Sequence, residues 1–122
     1  MKKAGSLKES FRYALKGIGY CLRHERNFRI HCCVGGLAVL LGLIFDLSGA
    51  ELCVLLLLIA FVLFAEMANT ALEKLVDLCT EEYHPLAAAV KDIAAGAVLV
   101  ICMIAVIIGA VLFIPHLVCL LN

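Results

Sequence analysis

Three long apolar runs, separated by short polar breaks, dominate the chain. The first extends from Phe28 to Phe45 and ends at Asp46-Leu-Ser-Gly-Ala-Glu51. The second carries no charge from Leu52 to Ala65 and continues without Pro or Gly to Cys79. The third is free of charge from Ile93 to Pro115. With its flanking turns, each run approaches the ~20 residues that a spanning helix needs. Ahead of them, Leu7, Phe11, Ala14, Leu15, Ile18 and Leu22 recur at helical spacing, while Lys8, Arg12, Lys16 and Arg23 fall largely on other faces. That pattern fits a basic amphipathic helix lying in a membrane surface. It also fits a half-buried helix of a soluble protein, but the span that follows favours the membrane. Ser48 with Glu51 makes a capping box that opens the second span. Pro85 suits the first turn of the third.

The expected architecture is all-α and integral to the membrane, an amino-terminal amphipathic surface helix followed by three transmembrane helices. We place the surface helix at residues 1–27 and the spans at 28–46, 51–79 and 86–118, within one domain covering 1–122.

Composition strengthens this reading. Of the 122 residues, 65% are hydrophobic, the mean hydropathy is +1.09, and there is no Trp. Ordinary soluble domains are roughly 45–50% apolar. The seven cysteines include no Cys-x-x-Cys pair and lie mostly in apolar runs, which predicts reduced thiols acting as small hydrophobes. The amino end does not read as a cleavable signal, because its apolar stretch comes late and Lys/Arg residues interrupt the first thirty positions.

Net charge is zero but unevenly spread. Residues 1–31 hold eight Lys/Arg against Glu9 and Glu25, a balance of +6, and the remainder carries −6. A basic end joined directly to an apolar span points to topology control or anionic headgroups, and away from nucleic acid. The amino end and the Thr80–Pro85 turn are expected to be cytoplasmic, and the Asp46–Glu51 turn and the carboxyl end outside.

The candidate chemistry lies in the second span. At 100° per residue, Asn69, Glu73 and Asp77 fall about −60°, −20° and +20° from Glu66, so four polar groups share one stripe. An ionisable group at a helix centre costs about 2.5–3.5 kcal/mol, so Glu66, the deepest, requires a reason. Ala65, Ala68 and Ala71 flank the stripe and permit close approach of another helix. Lys91 and Asp92 enter from the third helix at a similar depth, and Glu25 stands before the first span. Carboxylates beside a lysine near a membrane face suit Mg²⁺ and phosphate. No Walker A sequence is present, and Gly17 and Gly19 do not make a kinase glycine loop. In isolation, Glu73, Lys74 and Asp77 also fit the solvated end of a helix. His31 and His116 read as interfacial or packing groups rather than metal ligands, and Tyr13 and Tyr20 as headgroup-level anchors.

The run Glu66-Met-Ala-Asn69-Thr-Ala-Leu-Glu73-Lys-Leu-Val-Asp77 resembles the signature of the bacterial diacylglycerol kinase family. So do Glu82-Tyr-His84, Lys91-Asp92 and Ala95-Gly-Ala-Val98, and the likeness extends from about Ser10 to Pro115. The run Glu25-Arg-Asn-Phe-Arg-Ile-His31 looks like the undecaprenol kinase branch of Gram-positive bacteria; the diacylglycerol branch typically has an acidic residue where this chain has His31. The resemblance implies a homotrimer with composite sites, MgATP as donor, and undecaprenol or diacylglycerol as the lipid alcohol. It implies Glu66 as catalytic base and Glu25 and Glu73 as metal carboxylates. Tyr13, Glu82, Tyr83, His84, Lys91 and Asp92 correspond to nucleotide contacts, with Glu25 and Glu73 also on that side. Asn69 and Asp77 correspond to supporting polar residues, and Glu66 and His31 to the lipid side. The family's amino-terminal arginine contact has no secure match.

Two other classes fit a membrane chain with buried acids. A small oligomeric transporter or proton-coupled channel is disfavoured because the polar groups crowd toward one face and the outer half of the third span has no charge. A regulatory subunit without chemistry predicts no magnesium-dependent use of ATP.

Overall fold

The computed structural model describes residues 5–121 as four helices: α1 Leu7–His24, α2 Arg26–Ile44, α3 Gly49–Cys79 and α4 Pro85–Leu121. Residues 1–4, with Lys2 and Lys3, and Asn122 lie outside the described residues, and the ends of the segments expected at 1–27 and 1–122 fall there. Helices α2, α3 and α4 are each long and apolar enough to cross a membrane. The chain is a multi-pass membrane protein. No more than 17% of any of these apolar windows is buried within the chain, so lipid or other protein must cover the rest.

Helix lengths position the polar stripe. At 1.5 Å per residue, the 19, 31 and 37 residues of α2, α3 and α4 span about 28, 46 and 55 Å. Only α2 matches the ~30 Å hydrocarbon thickness. A short turn keeps α2 and α3 level at one end, so the excess length of α3 falls at the other, where Asn69, Glu73 and Asp77 lie.

Each joint has a local cause. At the end of α2, Asp46 takes the left-handed conformation (φ 54°). Its N–H bonds Leu43 O at 3.3 Å, and that of Leu47 bonds Gly42 O at 2.9 Å. These two bonds form a Schellman ending, and aspartate is among the few side chains that tolerate this backbone. Ser48 and Glu51 then complete the capping box of α3. Between α1 and α2, Glu25 is extended (φ −104°, ψ 110°) and breaks the helix. Arg29 Nη1 returns to donate to Leu22 O at 3.2 Å and Arg23 O at 3.0 Å, satisfying carbonyls at the end of α1. Helix α1 itself leaves Leu7, Phe11 and Leu15 exposed, as an interfacial helix must.

The core is small. Leu47, Leu55 and Leu112 are buried together, with Phe45 and Phe113 edge to face at 6.2 Å. Gly35 brings α2 close to α3: a Cβ there would stand 2.9 Å from Ile59 Cγ2. Helix α4 continues through Pro115 to Leu121, beyond the expected end at 118. Proline is tolerated inside membrane helices when neighbouring groups satisfy the freed backbone.

The α3–α4 hairpin keeps one register along its length. Glu51 pairs with His116 at one end (Oε2–Nε2 3.8 Å), and Asp77 with Lys91 at the other (Oδ1–Nζ 2.6 Å). The two pairs are about 39 Å apart along α3.

Candidate active site

Helical period sets the faces of the stripe, and depth sets its environments. Glu66 is 4% exposed and Asn69 and Glu73 are half-buried, whereas the Asp77 side chain is 54% exposed. The row therefore grades from enclosed to open. Thr70, one turn beyond Glu66, is also buried.

The deepest acid has a cross-helix partner. His31 Nε2 on α2 lies 3.2 Å from Glu66 Oε1. Cys102 Sγ on α4 lies 3.8 Å from the same nitrogen. His31 and His116, expected to be interfacial or packing groups rather than metal ligands, each face a glutamate of α3. Neither pairing follows a fixed sequence spacing, because each partner comes from a different helix.

Asn69 Nδ2 donates to Glu73 Oε1 at 2.9 Å. Its carbonyl oxygen, Oδ1, is buried without a hydrogen-bond partner. A buried oxygen in this state invites a cation or water. Glu25 and Glu73 both lie within electrostatic range of Glu66. Among the described residues no group of three or more His, Cys, Asp or Glu side chains could hold a metal by itself. Mg²⁺ does not require one, since it binds through one or two carboxylates with phosphate oxygens and water. Glu73 and the unpartnered Asn69 Oδ1 are oxygen donors of the kind that demand calls for.

At the open end, Asp77, Glu82, Tyr83, His84 and Lys91 line a cavity of about 280 Å³. Thr80 shapes this loop by accepting from Glu82 N–H at 3.2 Å. His84 Nδ1 accepts from Leu86 N–H at 3.2 Å, so its ring caps α4. Glu82 and Tyr83 are exposed. Asp92 is exposed and has no ion pair among the described residues, because Lys91 takes Asp77 instead. Tyr13 lies apart on α1, with the Arg12 guanidinium 5.6 Å and Lys16 Nζ 5.9 Å from its ring centre. Within one chain the sequence-derived residues thus form three groups, Glu66 with His31, Asn69 with Glu73, and the loop cavity with Asp77 and Lys91, while Glu25, Tyr13 and Asp92 lie outside them.

A groove of about 330 Å³ opens on the apolar side of His31 and Cys102. Gly35, Ala38, Ile59, Val62, Ala105 and Gly109 line it, and it extends to Phe113. Sequence reasoning did not single out this groove, Cys102, Thr70 or Cys21. Thr70 had a signal, since it lies only about 40° from Glu66 on the helix; the others had none. Cys21 is 5% exposed where α1 meets α3. Burial pushes its thiol up, and the Glu25 charge adds to this.

Known proteins give the arrangement a family. The sequence pattern described as prokaryotic diacylglycerol kinase matches residues 12–113. The undecaprenol kinase of Bacillus subtilis (strain 168) is 43% identical over 109 residues, covering 89% of each chain. A diacylglycerol kinase of Synechocystis sp. is 42% identical over 119 residues, covering 97% of this chain and 68% of that protein. The diacylglycerol kinase of Escherichia coli (strain K12) is 31% identical over 104 residues, covering 85% of each. Matched across most of its length, with the stripe inside the matched region, the chain belongs to the prokaryotic diacylglycerol kinase family.

Proposed function

We propose that this protein transfers the γ-phosphoryl group of ATP to a membrane lipid alcohol, and that the alcohol is undecaprenol. The observation that carries the reading is the graded stripe on α3. An enclosed carboxylate lies next to an apolar groove, and an open, charged end lies beside a loop cavity. A lipid alcohol and a nucleotide need those two environments within one site.

In this reading the lipid tail occupies the groove and its hydroxyl reaches Glu66 and His31. Glu66 accepts the hydroxyl proton as the oxygen bonds to the γ-phosphorus. The bond from that phosphorus to the bridging oxygen breaks, and its electron pair leaves with ADP. Glu25 and Glu73 hold Mg²⁺, supported by Asn69; when bound, the ion neutralises phosphate charge. Lys91 moves from Asp77 onto phosphate oxygens, and Asp77 holds it until then. Tyr13, Glu82, Tyr83, His84 and Asp92 surround the nucleotide. The amino end and the α3–α4 turn face the cytoplasm, where ATP is available, and the carboxyl end lies outside. Three copies assemble so that neighbouring chains cover the apolar faces and complete each site.

The 43% identity to an undecaprenol kinase supports undecaprenol. The nearly equal identity to the diacylglycerol kinase of Synechocystis sp. supports a second reading, phosphatidic acid formation from diacylglycerol. Purified protein supplied with MgATP and each alcohol decides between them, the higher kcat/KM naming the substrate. Glu66→Gln is expected to abolish turnover while ATP binding persists. Near-normal turnover in that variant would refute the base assignment.

A further inference from the structure

The contact between α2 and α3 at the bottom of the stripe has a chemical consequence beyond packing. Glu66 is almost fully enclosed, yet its carboxylate needs one fixed orientation to receive a proton. Around it, Glu25 and Glu73 repel its charge and His31 attracts it. The two side chains that approach His31 Nε2 are Glu66 Oε1 at 3.2 Å and Cys102 Sγ at 3.8 Å. An ionised carboxylate can only accept. For the ring to donate to that carboxylate it must carry a proton on Nε2; at that nitrogen Glu66 Oε1 is within ion-pair distance, and the Cys102 sulfur makes the hydrogen-bond contact. Glu66 Oε2 enters no ion pair among the described residues.

We propose that His31 is a positioning residue for Glu66, its Nε2–H holding Oε1 so that Oε2 is presented to the lipid hydroxyl. This differs from a lipid-contact role, and it rests on the reading of Glu66 as the base. A residue that orients the base acts on the chemical step, so its loss appears in kcat. A residue that only touches the lipid appears in the lipid KM.

Three variants of the full chain separate these effects: His31→Leu, His31→Gln and His31→Asn. Glutamine places an N–H near the position of Nε2. Asparagine is polar but ends near Nδ1, one bond too short. Steady-state kinetics in mixed micelles, varying lipid alcohol and MgATP separately, are expected to show His31→Leu and His31→Asn with kcat about 10–100-fold lower and both KM values within about threefold. His31→Gln is expected within about fivefold of the unmodified kcat. If His31→Leu fails to assemble, the Gln and Asn variants alone decide.

A raised lipid KM at unchanged kcat, or equal activity of the Gln and Asn variants, would each overturn the inference. An inactive Glu66→Gln beside a fully active His31→Leu overturns the role of His31 alone. An active Glu66→Gln overturns the base assignment beneath it.

Discussion

Gly35 is where a single methyl group tests the packing beneath the site. A Cβ there would lie 2.9 Å from Ile59 Cγ2. Carbon pairs are optimal at about 3.5–4.0 Å, so Gly35→Ala demands about 0.6 Å or more of relief. Ile59 is β-branched on a helix, and its stiff χ1 prevents Cγ2 from swinging away. The relief must come from α2 moving off α3. Overpacking of this kind costs about 1–3 kcal/mol. Alanine is the better helix former by about 0.8–1 kcal/mol, which leaves a net loss of about 0–2 kcal/mol. The functional loss is expected to exceed the stability loss. His31 lies one turn from Gly35, about 6 Å along α2, and a shift of this size moves it out of reach of Glu66. Thermal unfolding in detergent reads the first effect and kcat the second. Ile59→Leu keeps the volume but removes the branch, so the double variant should recover most of both. A Gly35→Ala protein that melts and turns over like the unmodified chain refutes this reasoning. So does a defect that persists in the double variant.

Two further outcomes separate site from scaffold. Asn69→Ala removes the donor to Glu73 and the buried Oδ1; the Mg²⁺ concentration for half-maximal activity should rise about tenfold or more, measured by metal titration at saturating ATP. Ser48→Ala removes the cap of α3 at the opposite end, and should lower stability by about 1 kcal/mol while kcat/KM stays unchanged.

Some of this chemistry was legible in the sequence because it depends on one helix at a time. The period of an α-helix places Glu66, Asn69, Glu73 and Asp77 on one stripe whatever surrounds them. The length of each apolar run predicts a span, because the bilayer is a solvent of fixed thickness. Ser48 and Glu51 announce the start of α3 within four residues. The basic amphipathic face of α1 is also a local property. Lys91 was legible as a cation near the stripe, but its pairing with Asp77 was not.

What only the tertiary structure decided are the relations between helices. The left-handed turn at Asp46 sets the register of α2 against α3, and so brings His31 to Glu66. The register of α3 against α4 brings Cys102 to the same place and joins Glu51 to His116. The unpartnered oxygen of Asn69 and the groove beside His31 exist only once three helices are packed. Sequence alone determined that this chain crosses the membrane three times with a row of acids in its second span. Which side chain meets each acid depends on helix rotation and axial offset. The turns and the close approach at Gly35 set both, and hydrophobic periodicity encodes neither.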